Sequence, residues 1–296
     1  VQHIHSLLLF CIPIVDISML CPIKQDSSSY QGKYLNTILQ SLFILFEQKL
    51  FSGICCIDIK CPDLIYELKY LIEKVNFIHL ENCDMTLGIK QLYKIIKKHK
   101  SKVSYWCLRR NCFEDINFFI DILNYTKTNL IYLDLSYCNL TEEFMKKLYK
   151  ELVKYPTLQQ LHVAGSRNSK EVAEEFDKLL TAYKSSGKIE LHTLDLSDIN
   201  DIFLYLDVLN KHKIQLRSLK VANVNIKKVD IESNLWKLQD LIYNSNKLKS
   251  LDLSGFEYKS PYIENFQRIL SRNEKLLNFD LYLNSLRNLK IVPFIS

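Results

Sequence analysis

Glycine and proline are scarce, six of each in 296 residues. That shortage excludes a collagen-like or low-complexity chain. No hydrophobic run is long enough to cross a bilayer. The apolar opening, Leu7 to Val15, is short and punctuated by Cys11 and Pro13. It lacks a positively charged leading segment, so a signal peptide is not expected. Beginning at Val1 rather than Met and ending without a polar tail, the chain is expected to be an excised piece of a longer protein. Phosphate-binding, dinucleotide-binding, zinc-protease and nucleophile-elbow motifs are all missing, so the expectation is not an enzyme and no cofactor. The nine cysteines all fall in the first half, without a repeated CxxC pair or a flanking histidine cluster. An odd, uneven set reads as reduced thiols with no metal site, and hence as a cytoplasmic protein.

What remains is ordinary in bulk and periodic in detail. Hydrophobic residues make up 48% and charged residues 24%; the net charge of +6 is carried mostly by lysine. A lysine excess is the mark of a solvated surface; it permits an acidic partner without selecting one. One phrase recurs: LxxLxL, two residues, a small or polar residue, then an apolar one. The clearest copy is LIYLDLSYCNL from Leu130. Others start at Val75, Val103, Leu158, Leu191, Leu216, Leu248 and Leu276, with a weaker copy at Ile54 and a degenerate one at Ile12. From Ile54 onward the successive starts are 21, 28, 27, 28, 33, 25, 32 and 28 residues apart. A single match is cheap in so apolar a chain, but a regular series of them is not.

Between phrases the sequence turns helical. Gly88 to His99, and Asp115 to Tyr125, place apolar residues three and four apart. Thr141 before EEFMKKLYKELVK and Ser169 before KEVAEEFDKLLTAY are N-cap candidates, with Gly187 a stop. Further helices are expected at Tyr34 to Gln48 and after Ser260-Pro261. Each unit is therefore a strand, a turn and a returning helix. Alone it cannot bury its apolar face, so units must stack, with anchors such as Leu130, Leu133 and Leu135 pointing inward.

These motifs, above all LIYLDLSYCNL, LHTLDLSDIND and LKSLDLSGFEY, resemble the ribonuclease-inhibitor-like class of leucine-rich repeats. The resemblance covers about Ile54 to Leu286. It implies an α/β leucine-rich-repeat solenoid, a horseshoe or arc with parallel strands on the concave face and helices on the convex face. Residues 1–53 would form an atypical N-terminal repeat or cap, and 54–296 an array of eight to nine units. The class includes ribonuclease inhibitor, the Ran GTPase-activating protein, tropomodulin and scaffolds that bind actin capping protein. By resemblance, the function is that of a protein-binding scaffold, a cytoskeletal or signalling regulator whose partner is an actin-regulatory protein or a small GTPase. In such repeats an Asn or Cys after the strand bonds turn backbone from inside. Here that position is Cys83, Asn111, Cys138, Ser166, Ile199, Val224, Phe256 and Asn284 in turn.

The outward strand positions form columns. The candidate partner-binding residues are Tyr105, Tyr132 and Tyr137 as rigid aromatic anchors and Arg109 and Arg110 as carboxylate clamps. Asp134, His162 and Asp195 complete the set. The competing reading is local: tyrosines packing across strands, and aspartates of the LDLS phrase bonding their own turns. His162 is expected to pair across one strand with Asp134 or Asp195. Two other functions are kept. Arg109 or Arg110 would serve a GTPase-activating protein by stabilising charge on a transferring phosphate. The run from Lys94 to Lys102 would give weak nucleic-acid or anionic-lipid binding at a basic edge, against the plain reading of lysines that favour a helix C-terminus.

Overall fold

The computed structural model describes residues 75–254, apart from 84, 87, 100–101, 114, 116, 126–129, 188–189 and 224–230. Strands at 14–16, 53–57 and 278–280 are described as well. The described elements make an α/β arrangement of ten strands, with helices alternating from β3 to β9: β1 Ile14–Asp16, β2 Gly53–Ile57, β3 Phe77–Glu81, β4 Tyr105–Cys107, β5 Tyr132–Asp134, β6 Gln160–His162, β7 Thr193–Asp195, β8 Ser218–Lys220, β9 Ser250–Asp252 and β10 Asn278–Asp280. The described helices are α1 Gly88–His99, α2 Asn117–Tyr125, α3 Glu142–Leu152, α4 Lys170–Ser185, α5 Ile202–His212 and α6 Ile231–Asn244. All ten strands form one parallel sheet in sequence order. Among the described residues no helix is long and apolar enough to cross a membrane.

The phrase sets the register. Its second anchor forms a row straight across the sheet: Ile54, Ile78, Trp106, Leu133, Leu161, Leu194, Leu219 and Leu251. Every one is fully buried beneath the helices. Burying one such side chain is worth about 1.5–3 kcal/mol, and each needs the next unit to cover it. Helices stack on neighbouring helices in step with the strands. Tyr149 of α3 and Tyr205 of α5 bridge the intervening α4, their hydroxyls 2.9 Å apart and both rings packed on Phe176.

The register corrects one reading. The copy at Ile54 is offset by three: Ile54 aligns with Ile78 as a second anchor and not as a first, so Cys55 shares a row with His79. A close approach fixes this alignment. A Cβ on Gly53 would lie 2.8–2.9 Å from Phe77 side-chain atoms, so only glycine lets that ring lie over β2. The degenerate phrase at Ile12 contributes β1, which pairs with β2 in the same sheet. The rest of the expected cap, and the helices expected at 34–48 and after Ser260, lie outside the described residues.

Strands are short because a turn follows at once. Asn82, Arg110, Tyr137, Gly165, Asp198 and Asn223 occupy one equivalent position in six successive units, all with positive φ. Each donates its backbone N–H to a carbonyl of the next unit, for example Tyr137 to Ala164 at 2.7 Å and Asp198 to Ala222 at 2.9 Å. The interior position that follows does what the repeat requires in the first half. Asn111 donates Nδ2 to Leu80 and Leu108 carbonyls at 2.6 and 2.8 Å and accepts the Cys83 N–H at 2.8 Å. Cys138 donates to the Leu108 carbonyl at 3.0 Å. Ser166 Oγ, by contrast, is buried without a hydrogen-bond partner. Ile199 simply fills its place with apolar volume.

Candidate partner-binding face

The sheet face away from the helices carries two rows. The first is Phe77, Tyr105, Tyr132, Gln160, Thr193, Ser218 and Ser250, and the second Cys55, His79, Cys107, Asp134, His162, Asp195, Lys220 and Asp252. Side-chain size divides this face in two. Over β3 to β5 the aromatics close on themselves: Phe77, Cys107 and Tyr132 form a buried cluster with Tyr105 packed against it. Over β6 to β9 the first row is small and polar, and half-buried.

Tyr132 and Asp134 both lie in the closed part of this face. Tyr132 is 8% exposed and is no free anchor. Its ring lies 5.2 Å from that of His162, and its hydroxyl donates to Asp134 Oδ2 at 3.3 Å. Burial, with Asp134 beside it, pushes its phenol well up. Asp134 spends its other oxygen on the Ser136 N–H at 2.8 Å. Asp195 and Asp252 do the same for Ser197 and Ser254. The aspartate of the LDLS phrase is thus a turn-former, as an Asx turn requires. His162 is also buried. Its Nδ1 lies 3.6 Å from Asp195 Oδ2, the cross-strand pair expected, and its Nε2 finds no hydrogen-bond partner. Burial would raise the Asp195 carboxyl, but His162, Lys220 and the Ser197 side chain outweigh it and hold the group at about 2.

The turn edge of the face is different. Tyr137 sits on a left-handed turn residue that puts its side chain at the rim, 38% exposed. Its ring lies over Gly165, where a Cβ would meet Cδ1 at 2.8 Å. Its hydroxyl reaches two units along to donate to Asp198 Oδ2 at 2.5 Å. The Arg109 and Arg110 guanidiniums stand 5.3 and 5.9 Å from the ring centre. Both also face Glu81, at 3.8 and 3.5 Å. Glu81 takes a further contact from His79 Nε2 at 3.1 Å. That hydrogen bond, working against burial and with both arginines, lowers the Glu81 carboxyl. Arg109 is mostly covered, whereas the Arg110 side chain is 58% exposed.

So the expected residues separate into two groups. Arg109, Arg110 and Tyr137 come together at the rim, and Tyr105 is half-buried beside the aromatic cluster. Tyr132, Asp134, His162 and Asp195 form an inner polar network. Glu81, Asp198 and Gly165 organise the rim and were not among the expected residues. Their signal was positional: Glu81 and Arg109 hold the same place in adjacent phrases.

The thiols have structural surroundings. Cys55, Cys83, Cys107 and Cys138 are buried and unbridged; Cys112 is unbridged and exposed. Burial pushes Cys107 well up and Cys138 up to about 12, away from reactivity. No cluster of three or more potential metal ligands occurs among the described residues. A cleft of about 300 Å³ lies at the starts of α2 and α3, lined by Cys112, Asn139 and Lys147 among others. No protein-family model matches the chain, and no curated protein matches its sequence.

Proposed function

We propose that this chain is a leucine-rich-repeat solenoid of the ribonuclease-inhibitor-like class that holds a partner protein on its open sheet face, with the main contact at the turn rim. The observation that carries this reading is the state of Tyr137. It is an exposed ring already fixed by two guanidiniums, Asp198 and the notch at Gly165. Rigid aromatic and arginine side chains recur as binding hot spots, because little rotamer entropy is lost when a partner covers them. The single in-register sheet and its repeated turns support the repeat class. The unbridged cysteines support a reducing compartment such as the cytoplasm.

The test compares the full chain with an Arg110→Ala/Tyr137→Ala variant as baits for cell lysate. Proteins retained at high salt would be identified, and the best one purified. We expect it to be lost from the variant and to slow hydrogen exchange around Tyr137 in the native chain. Equal capture by both baits would move the site away from the rim. GTPase activation is the weaker alternative, because Glu81 already engages both arginines. Stimulated GTP hydrolysis that vanished with Arg110→Ala would restore it.

A further inference from the structure

The basic run is the one sequence feature the rim does not absorb, and the structure gives it a distinct setting. Lys90, Lys94, Lys97 and Lys98 are exposed on α1, and Lys102 is exposed just after it. Spacings of four, seven and eight residues put the helical four on one side of α1, a stripe about 12 Å long. The helix contains no acidic residue. None of the five lysines has a carboxylate partner among the described residues. Elsewhere on the helix layer most described lysines are paired, Lys146, Lys170 and Lys184 being exceptions. Lys147, Lys150, Lys154, Lys178, Lys211 and Lys237 each face a carboxylate within 4.0 Å. Asp121, exposed on α2, is the carboxylate that this neighbouring helix offers.

Aromatic rings are set among these charges. Lys97 Nζ lies 5.7 Å from the ring centres of both Tyr93 and Tyr125, and Lys90 Nζ lies 5.9 Å from that of Phe118. Tyr93 also packs edgewise or tilted against Phe118 and Tyr125, at 5.6 and 5.8 Å. The rings are thus occupied by ammonium groups and by each other, which leaves them poorly placed to stack on bases. They suit a headgroup layer, where tyrosine presents an apolar body and a polar tip.

We propose that the outer side of α1 and α2 is a peripheral docking surface for membranes bearing anionic phospholipids. Unneutralised lysines supply attraction to the lipid phosphates and carboxylates, and Tyr125 settles among the headgroups. Since the helices lie on the opposite side of the sheet from the rim, docking would leave the Tyr137 edge open to solvent.

The experiment uses the full chain and sedimentation with vesicles of phosphatidylcholine, alone or mixed with phosphatidylserine. Three proteins are compared: the native chain, Lys94→Gln/Lys97→Gln/Lys98→Gln, and Lys150→Gln/Lys178→Gln/Lys211→Gln. The last loses equal charge from sites that carry ion pairs. Thermal melts of all three establish that each is folded. The native chain and the second variant should bind only the anionic vesicles, and less so in high salt. The first variant should lose binding about fivefold per lysine removed. The idea is overturned if the native chain ignores anionic vesicles. Equal losses in both variants would also overturn it, because net charge alone would then be responsible. Binding a single-stranded oligonucleotide through the same lysines, without vesicle binding, would assign the patch to nucleic acid instead. None of these outcomes depends on the rim.

Discussion

At the scale of single residues, the two closest approaches both rest on glycine. Gly165 combines φ +70° with a ring where its Cβ would be. Gly165→Ala should therefore cost about 1–3 kcal/mol, measured as a shift in the urea midpoint, and should also free Tyr137. The buried carboxylate Asp195 supplies a pH dependence. Its folded value of about 2 lies below the ordinary 3.8. Its contribution is thus fully present above the ordinary value and is lost as pH falls from there towards 2. Asp195→Asn should be less stable than the native chain near neutral pH by about 2 kcal/mol. Urea titrations should show that gap closing in acid; a gap that stayed constant would mean the carboxylate charge is not what stabilises. The sequence marks Asp195 and His162 as neighbours in one column, and they do pair. It does not show Tyr132 buried, because that depends on Phe77, Tyr105 and His162 closing over the same face from adjacent strands.

At the scale of the element, α1 and α2 were legible by their apolar spacing and α3 and α4 also by their capped starts. Thr141 and Ser169 accept the N–H groups of Phe144 and Val172 at 3.2 and 3.4 Å, as their positions predict. Thr141→Ala should cost about 1 kcal/mol in thermal or urea unfolding. The helix α5 went unread because its start is irregular. Asp201 stands at its N-cap with φ 54° and makes no side-chain capping bond, and IFLYLDVL reads as an apolar run without a clear helical side. Asp201→Gly should accordingly be neutral or stabilising, by up to about 1 kcal/mol. A clear loss of stability would mean that its carboxylate has a role the geometry does not show. The strands were legible as a set and fallible singly, as the three-residue offset at Ile54 shows.

At the scale of the whole molecule, stability is shared between neighbours. Leu133 lies at the centre of a row whose members cover one another. Leu133→Ala should cost about 2–5 kcal/mol. Leu133→Asp should do more, and hydrogen exchange should then rise in the units of β4 and β6 as well as in β5. Exchange confined to β5 would mean the units fold independently. The column of turn residues has a consequence for how such a chain can change in length. From Asn82 to Asn223, each backbone donor reaches the carbonyl one unit ahead, whether the units start 25 or 33 residues apart. The sheet therefore registers the order of the units and not their size. Residues added to a returning segment alter only the helix layer. A single residue gained or lost between anchor and turn would move a left-handed position onto a neighbour unsuited to it, and that unit's donor would miss its carbonyl.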